Sequence, residues 1–309
     1  MAERLMLLDT ASLYFRSFYG VPTKVRAPDG TPVNAARGLL DIIAKLVADF
    51  EPTHIVACWD DDWRPQWRVD LIPSYKEHRV KETVPGGVDV EETPDELVAQ
   101  IPLIREMLDK LGVTVLGAAH HEADDVIGSL ASQAQMPVDV VTGDRDLFQL
   151  VDDETQVRVI YTARGMSRLE ILTDDVVKSK YGVAAHQYAD FAALRGDNSD
   201  GLPGVAGVGD KTAAGLLQEH GSLARIIAAA GERTPELSHS VRAKITAAED
   251  YLKVAPTVVG VVRDLDFGSF DARIRPLPAD RLADVERLAE KHGLGGSMKR
   301  ALHALGSEA

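Results

Sequence analysis

Nine carboxylates fall in four short clusters of the 309-residue chain. Asp9 and Asp60 each close an apolar run; Glu122, Asp124 and Asp125 lie in EADD, Asp144 and Asp146 in GDRD, and Asp197 and Asp200 in GDNSD. Hard divalent cations prefer oxygen ligands, and magnesium takes only one or two carboxylates directly while keeping several waters. So many acids exceed the needs of one ion and suit two or more, the arrangement used for in-line phosphoryl displacement. Glu122 and Asp125 are three residues apart and share a helical face, with Asp124 beside them in the first turn. Asp144 and Asp146 point the same way if their segment is extended. Each cluster also has an ordinary structural reading. EADD can cap a helix and complement its dipole, GDRD can be a turn with Asp146 capping the next helix, and GDNSDG reads as a loop. The co-occurrence of all four in one chain, at strand ends and loops, favours a metal centre.

The elements that must hold these acids alternate between strand and helix. Apolar runs at Leu5–Leu8, Ile55–Trp59, Val113–Leu116 and Val138–Val141 precede the first three clusters, and helical spacing fills Ala35–Phe50, Pro94–Leu111 and Ala123–Gln135. The alternation predicts an α/β fold with a parallel-rich central sheet flanked by helices. Ligands of such sheets sit beyond the carboxyl ends of the strands. Residues 62–93 interrupt the pattern: they lack a clear period and carry Pro65, Pro73, Pro85 and Gly86–Gly87. An insertion of that length without a core of its own is functional or mobile. From about residue 186, GDNSDGLPGVAGVGDKTA leads into helices expected over Lys211–His220, Leu223–Ala230 and Ser238–Leu252. A short strand at Val258–Val262 and helices at Arg281–His292 and Ser297–Leu305 are expected to follow. The expected division is a core at 1–185 with its insertion at 62–93, a helical subdomain at 186–260, and a C-terminal segment at 261–309 packing back on the core.

Against 48 acids stand 34 Lys and Arg, a net charge of −14. Phosphate affinity comes from Lys and Arg, but bulk charge does not say where charges sit. Acids gathered round cations leave basic residues elsewhere free to form a track. The single Cys58, in the apolar run HIVACW, excludes a disulfide framework and a Cys-rich zinc site and points to a reduced, cytosolic compartment. No apolar run reaches the roughly 18 residues needed to span a bilayer, and MAERLMLLDT does not read as a signal peptide. His120 and His121 adjoin the acids but point apart in extended backbone, so zinc is not expected. Trp59, Trp63 and Trp67 read as packing residues. In the glycine-rich run Gly201–Thr212, Asp210 separates Gly209 from Lys211, which rejects a nucleotide phosphate loop and with it a nucleotide cofactor.

The segments LLDTASLYFRSFY, ACWD with WR and YKEHR downstream, HHEADDVIGSLA, VTGDRDLFQLV and LRGDNSDGLPGVAGVGDKTA together resemble the bacterial 5′-nuclease family. That family comprises the 5′-exonuclease domain of DNA polymerase I, its stand-alone relatives and the flap endonucleases. The matching segments run in the family's order over about residues 5–217. The resemblance implies a PIN-like nuclease core, a helical arch over the active site and a helix–hairpin–helix subdomain. It places Asp9, Asp60, Glu122 and Asp124 round a first magnesium or manganese ion. Asp125, Asp144, Asp146, Asp197 and Asp200 then serve a second or further ion, with Asp124 bridging. Arg16 on the first helix and Tyr75, Lys76 and Arg79 in the arch take catalytic roles: cations where negative charge develops, and an aromatic face for an end base. Gly204, Gly207, Gly209, Lys211 and Thr212 fall on the hairpin that holds duplex backbone, with potassium bridging carbonyls and a phosphate. Backbone N–H groups at a helix start can face a phosphate there, and such contacts position without reading sequence.

The implied activity is a structure-specific 5′-3′ exonuclease and flap endonuclease acting on DNA 5′ ends, flaps and nicks in replication and repair. It would work as a monomeric, stand-alone, cytoplasmic enzyme associated with the nucleoid. Two features depart from the pattern: Asp61 and Asp62 extend Asp60 into a triple run, and Asp89, Glu91 and Glu92 make the far side of the arch acidic. Two other readings stay open. A PIN-type RNase would lack the hairpin, and a non-catalytic DNA-junction binding protein would lack the acids.

Overall fold

A computed structural model describes residues 3–232 and 237–307 of the chain. Its strands are β1 (Leu5–Asp9), β2 (His54–Trp59), β3 (Val80–Glu82), β4 (Val90–Glu91), β5 (Thr114–Gly117), β6 (Val138–Thr142), β7 (Val157–Tyr161) and β8 (Glu170–Leu172). Six of them form one sheet in the order β5-β2-β1-β6-β7-β8. All neighbours pair in parallel except β7 with β8. Every residue of β1 and β6 is buried, as continuous apolar runs are when helices cover both faces of a sheet. From β1 the chain builds β2 and β5 towards one edge, then crosses back to lay β6 on the other side of β1. The order therefore reverses at β1 and β6, which opens a crevice above their carboxyl ends. Asp9 and Asp144 stand on its two lips.

One face of the sheet is covered by α1 (Thr10–Gly20) and α2 (Asn34–Phe50), and later in the chain by α4 (Asp95–Val98) and α5 (Ile101–Lys110). Between them in sequence lies α3 (Gln66–Leu71), inside the insertion. The opposite face takes α6 (Ala123–Gln133), α7 (Asp174–Tyr181) and α8 (Tyr188–Arg195), with α9 (Asp210–His220), α10 (Leu223–Gly231), α11 (His239–Ala247) and α12 (Glu249–Val259) stacked beyond. The chain then returns to the first face. Ile55 N donates to the Ala272 carbonyl at 2.8 Å and Ile274 N to the Thr53 carbonyl at 2.9 Å. There α13 (Ala279–Lys291) and α14 (Gly295–Ala304) complete the first core with Val285, Leu288, Met298 and Leu302. Among the described residues no helix is long and apolar enough to cross a membrane.

The helices differ from the sequence expectation where a local rule overrides periodicity. The stretch expected to be one helix at Pro94–Leu111 is broken after Val98, because Pro102 has no N–H and is tolerated only in a first turn, where α5 begins. Ser238–Leu252 likewise divides at Ala248, with Ser238 Oγ capping α11 through Val241 N. The strand expected at Val258–Val262 does not form. Val258 and Val259 are the last turn of α12, buried at helical spacing with Leu252 and Ala255, and a short apolar run does not by itself tell a strand from a buried helix end.

The insertion is the larger surprise. It contains the six-residue helix α3, a 3₁₀ turn at Glu77–Arg79 and the small antiparallel pair β3–β4, and no longer helix. The buried Arg64 closes it: Nε donates to the Tyr75 carbonyl at 2.6 Å, Nη2 to the Pro73 carbonyl at 3.1 Å, and Nη1 to Asp89 Oδ2 at 2.7 Å. Trp63 Nε1 donates to the Asp89 carbonyl at 2.7 Å. A polar network does here what an apolar core does elsewhere, which is why the segment shows no hydrophobic period.

Candidate active site

The ends of β1 and β2 deliver carboxylates that backbone N–H groups at helix starts hold. Asp9 ends β1 and caps α1, accepting from Ser12 N at 3.1 Å and, on its other oxygen, from Thr142 Oγ1 at 2.6 Å. The same Thr142 hydroxyl accepts from Asp144 N at 2.8 Å, tying the two lips of the crevice together. Asp60 follows β2 and accepts from Ala123 N, at the start of α6, at 2.8 Å. Asp9, Asp60, Glu122, Asp124 and Asp144 line a single cleft of about 370 Å³ with Lys76 and Arg79 on its wall.

Burial, then mutual repulsion, makes these acids hold their protons. Burial, augmented by the charges of Asp60 and Asp144, pushes Asp9 up to about 7, and burial with Glu122 pushes Asp60 up to about 6. Asp124 stands well above the carboxylate range through burial and then Asp144 and Asp9. Asp146 does so through burial and then Asp144, Asp200 and Asp197, and Asp200 is raised by burial and Asp144. Asp146 Oδ1 is buried with no hydrogen-bond partner. A buried acceptor left unmet costs free energy, and a cation beside it would remove that cost.

Glu122 is held quite differently. Its Oε2 accepts from Arg68 Nη1 at 2.7 Å and from the Tyr75 hydroxyl at 2.6 Å, and its Oε1 accepts from Lys76 Nζ. Arg68 is 2 % exposed and carries no sequence signal beyond its place in the WR pair. It also chelates Asp125, with Nη1 2.8 Å from Oδ2 and Nη2 2.7 Å from Oδ1, and donates to the Val258 carbonyl at the end of α12. Both oxygens of Asp125, for which a metal role was expected, are thus engaged by Arg68. That carboxylate is fully buried, accepts further bonds from Val262 N and Glu122 N, and is absent from the cleft wall. Burial alone would raise its pKa, but the Arg68 guanidinium outweighs burial and holds it below the carboxylate range.

Tyr75 also departs from expectation. Its ring packs in the core and only its hydroxyl reaches the site, so no face is open for an end base; its part is to orient Glu122. Lys76 adopts a left-handed backbone, φ 49°, and donates its N–H to the Asp200 carbonyl at 3.0 Å. Burial works against its charge, but Glu122 outweighs burial and keeps the ammonium protonated well above the usual lysine range. Arg79 reaches the cleft but is turned towards Glu91, with Nε at 3.0 Å and Nη2 at 2.5 Å from Oε1. One of the acids on the far side of the arch thus holds a cation expected to face the substrate.

The GDNSD loop joins the cleft through a glycine. At Gly201 (φ 69°) a β-carbon would stand 2.0 Å from the Ser74 carbonyl oxygen, and Ser74 Oγ donates to the Gly201 carbonyl at 2.8 Å. No other residue lets the loop dock on the insertion there. Asp197 accepts from Arg195 Nη2 at 3.1 Å and from Ser199 N at 2.8 Å. Arg16 lies by Gly143, with its Nε buried and unpartnered, on the wall of a separate groove between α1 and α2.

The hairpin residues form no part of the acid cleft. A β-carbon at Gly204 would lie 2.4 Å from Gly196 N, so this glycine closes the turn between α8 and α9. The Gly207 carbonyl accepts from Lys244 Nζ at 2.9 Å. Gly209 leads into α9 with open space, nothing within 4 Å, where a β-carbon would stand, and Lys211 and Thr212 follow in the first turn.

Among the described residues, no three His, Cys, Asp or Glu side chains converge tightly enough to wrap an ion alone. The cleft instead suits cations that take few direct carboxylates and keep water. Asp9, Asp60 and Asp124 could hold one, and Asp144, Asp146, Asp197 and Asp200 another.

Comparison with known proteins adds to this geometry. Residues 4–182 match the family model of the 5'-3' exonuclease N-terminal resolvase-like domain, and residues 183–280 that of the 5'-3' exonuclease C-terminal SAM fold. A 5'-3' exonuclease of Streptomyces coelicolor is 54% identical over 300 residues, covering 97% of this chain and 99% of that one. A 5'-3' exonuclease of Mycobacterium tuberculosis is 48% identical over 319 residues, covering 99% and 98%. In fold, the chain is similar to the bacteriophage T5 flap endonuclease solved in a pseudo-enzyme–product complex with DNA and metal ions. The TM-score is 0.62 and the identity 18%, over 98% of this chain and 100% of that one.

Proposed function

The chain belongs to the 5′-3′ exonuclease family and is a nuclease, and from that premise we propose that it hydrolyses DNA phosphodiesters from free 5′ ends and at 5′ flaps with two divalent cations. The observation that carries the reading is one cleft with six acids on its wall, Glu91 among them, three more beside it and two basic side chains facing them. A carboxylate-only donor set and the unmet Asp146 oxygen fit magnesium or manganese. When bound, the ions supply Lewis-acid polarisation of the scissile phosphate and of the attacking water.

The chain's own residues do the rest. Asp9, Asp60 and Asp124, with Glu122 behind them, fix one ion; Asp144, Asp146, Asp197 and Asp200 fix the other. Lys76 keeps its proton, so it serves as a fixed positive charge at the phosphate rather than as a proton donor. Such preorganised charge favours the transition state over the ground state. Arg79 swings from Glu91 to the strand. Residues 186–260 hold the duplex, with the N–H groups before α9 and Lys211 facing its backbone and a potassium ion on the hairpin carbonyls. The enzyme works as a monomer without a nucleotide cofactor, on nicks, flaps and ends arising in replication and repair in the bacterial cytoplasm.

A 5′-flap oligonucleotide labelled at its 5′ end tests the reading. Cleavage near the junction in magnesium or manganese, and none in excess chelator, is the expected result. Binding without cleavage would sink it in favour of a junction-binding protein, and preference for RNA in favour of an RNase.

A further inference from the structure

A second cavity, of about 730 Å³, opens behind the cleft and shares Gly143 and Asp144 with it. It lies between the β7–β8 pair and α7, and its chemistry differs from the cleft's. Arg145, Arg164 and Lys180 stand round it over the rings of Tyr161 and Tyr181. Both rings pack on Phe148, with centroids 5.1 and 5.8 Å away, Tyr181 also on Tyr188 and Phe191, and both stay partly exposed. Behind them the buried Tyr188 has a hydroxyl with no hydrogen-bond partner.

Lys180 pairs with Glu170 and Arg145 approaches Asp197 at 3.9 Å. Among the described residues, Arg164 and the hydroxyls of Tyr161 and Tyr181 make no hydrogen bond or ion pair. In a chain of net charge −14, basic groups and partly exposed tyrosines in a cavity that shares Asp144 with the acid cleft are suited to an anion bearing a ring. We propose that this cavity is a nucleotide subsite. It takes the nucleotide of the cut strand next to the scissile phosphate, with that nucleotide's own phosphate against Arg164 and Arg145 and its sugar and base against Tyr161 and Tyr181. The assignment rests on the nuclease reading above.

Arg164 is exposed and unpaired, so Arg164→Glu should leave the unfolding midpoint unchanged. Single-turnover cleavage in magnesium should show the enzyme concentration for half-saturation raised about tenfold, with the saturated rate preserved. The dependence of log affinity on log salt should flatten by about 0.7–0.9, one phosphate contact. A neutral methylphosphonate at the linkage neighbouring the scissile one should weaken wild type and leave Arg164→Glu unaffected, the coupling a shared contact requires. Arg287→Glu, the same charge change at an exposed site on α13, should do none of this. An equal loss in Arg287→Glu, or coupling only to linkages of the complementary strand, would overturn the subsite. If wild type cuts DNA and Arg164→Glu matches it in half-saturation and salt slope, the subsite alone fails. If wild type cuts no DNA, the nuclease reading fails first.

Discussion

Around Glu122 each carboxylate oxygen meets a donor, supplied by Arg68, Tyr75 and Lys76. Around Asp146 one oxygen meets nothing, and the neighbouring charges of Asp144, Asp200 and Asp197 all repel it. Both regions border the same crevice, yet the first is complete as folded and the second is balanced only by a cation. Acids of one family signature therefore divide into those that shape the site and those that wait for a ligand. Substitution should affect the two kinds in opposite ways.

The sharpest break of that contrast is Asp125→Ala. It strands the buried Arg68 without its bidentate partner, and removing one member of a buried pair costs about 3–5 kcal/mol. Urea unfolding should show this loss with or without magnesium. A loss under about 1 kcal/mol would mean that the pair is dispensable and the contrast false.

On the other side, Asp146→Asn keeps the shape and removes a repelled charge. Cleavage should fall by about 10²–10³, by analogy with deleting one preorganised group. Metal-free stability should hold or rise, because burial and the neighbouring acids disfavour its charge. Near-normal turnover would take Asp146 out of the metal set.

Acidity sharpens the comparison. Asp9 and Asp60 titrate at about 7 and about 6 in the folded chain, against 3.8 for an ordinary aspartate. The folded state thus keeps protons that the unfolded chain has released, so their contribution to metal-free stability falls as pH rises from about 4 to about 7. Asp125, held below the ordinary range, acts in reverse: its contribution is present at neutral pH and lost on acidification. Divalent ions compete with the protons of the first pair. Magnesium should therefore raise the unfolding free energy more at about pH 8 than at about pH 6, by up to about 2.7 kcal/mol at a hundredfold excess over Kd. An equal increment at both values would disconnect those acids from the metal.

The smallest effect is expected at Glu91→Gln, which frees the partly exposed Arg79. An ion pair of this kind contributes about 0.2–1 kcal/mol, so stability should barely change while cleavage rises up to about fivefold. A fall in cleavage would show that Glu91 positions Arg79 rather than withholding it.

The strand-end acids were legible because an apolar run closed by Asp is a local signal; alternation predicted a parallel-rich sheet but cannot give its strand order, so the reversal at β1 and β6 came only from the structure. Arg68 was not legible, since its partners lie 54 and 57 residues away and nothing near WR marks them. Helical spacing puts Asp125 beside Glu122, but cannot say that an arginine fills the space between. The insertion hid its order because Arg64 builds it from carbonyls and one carboxylate, which leave no hydrophobic period. Tyr75 meets Glu122 by its hydroxyl, while its ring packs in the core, a division that the YKEHR run does not show.

The return of the chain to its starting face has a consequence in time. Ser297 Oγ bonds Asp41 at 3.1 Å across 256 residues, and α14 packs extensively along α2. Ribosomes add about 5–20 residues per second, so α2 emerges roughly 13–50 s before its cover does. Throughout that interval the nascent chain presents an unfinished apolar face, which is the kind of surface that chaperones hold. Stalled chains ending before α14 should remain protease-sensitive along α2, and resistance should arrive abruptly once that helix clears the exit tunnel.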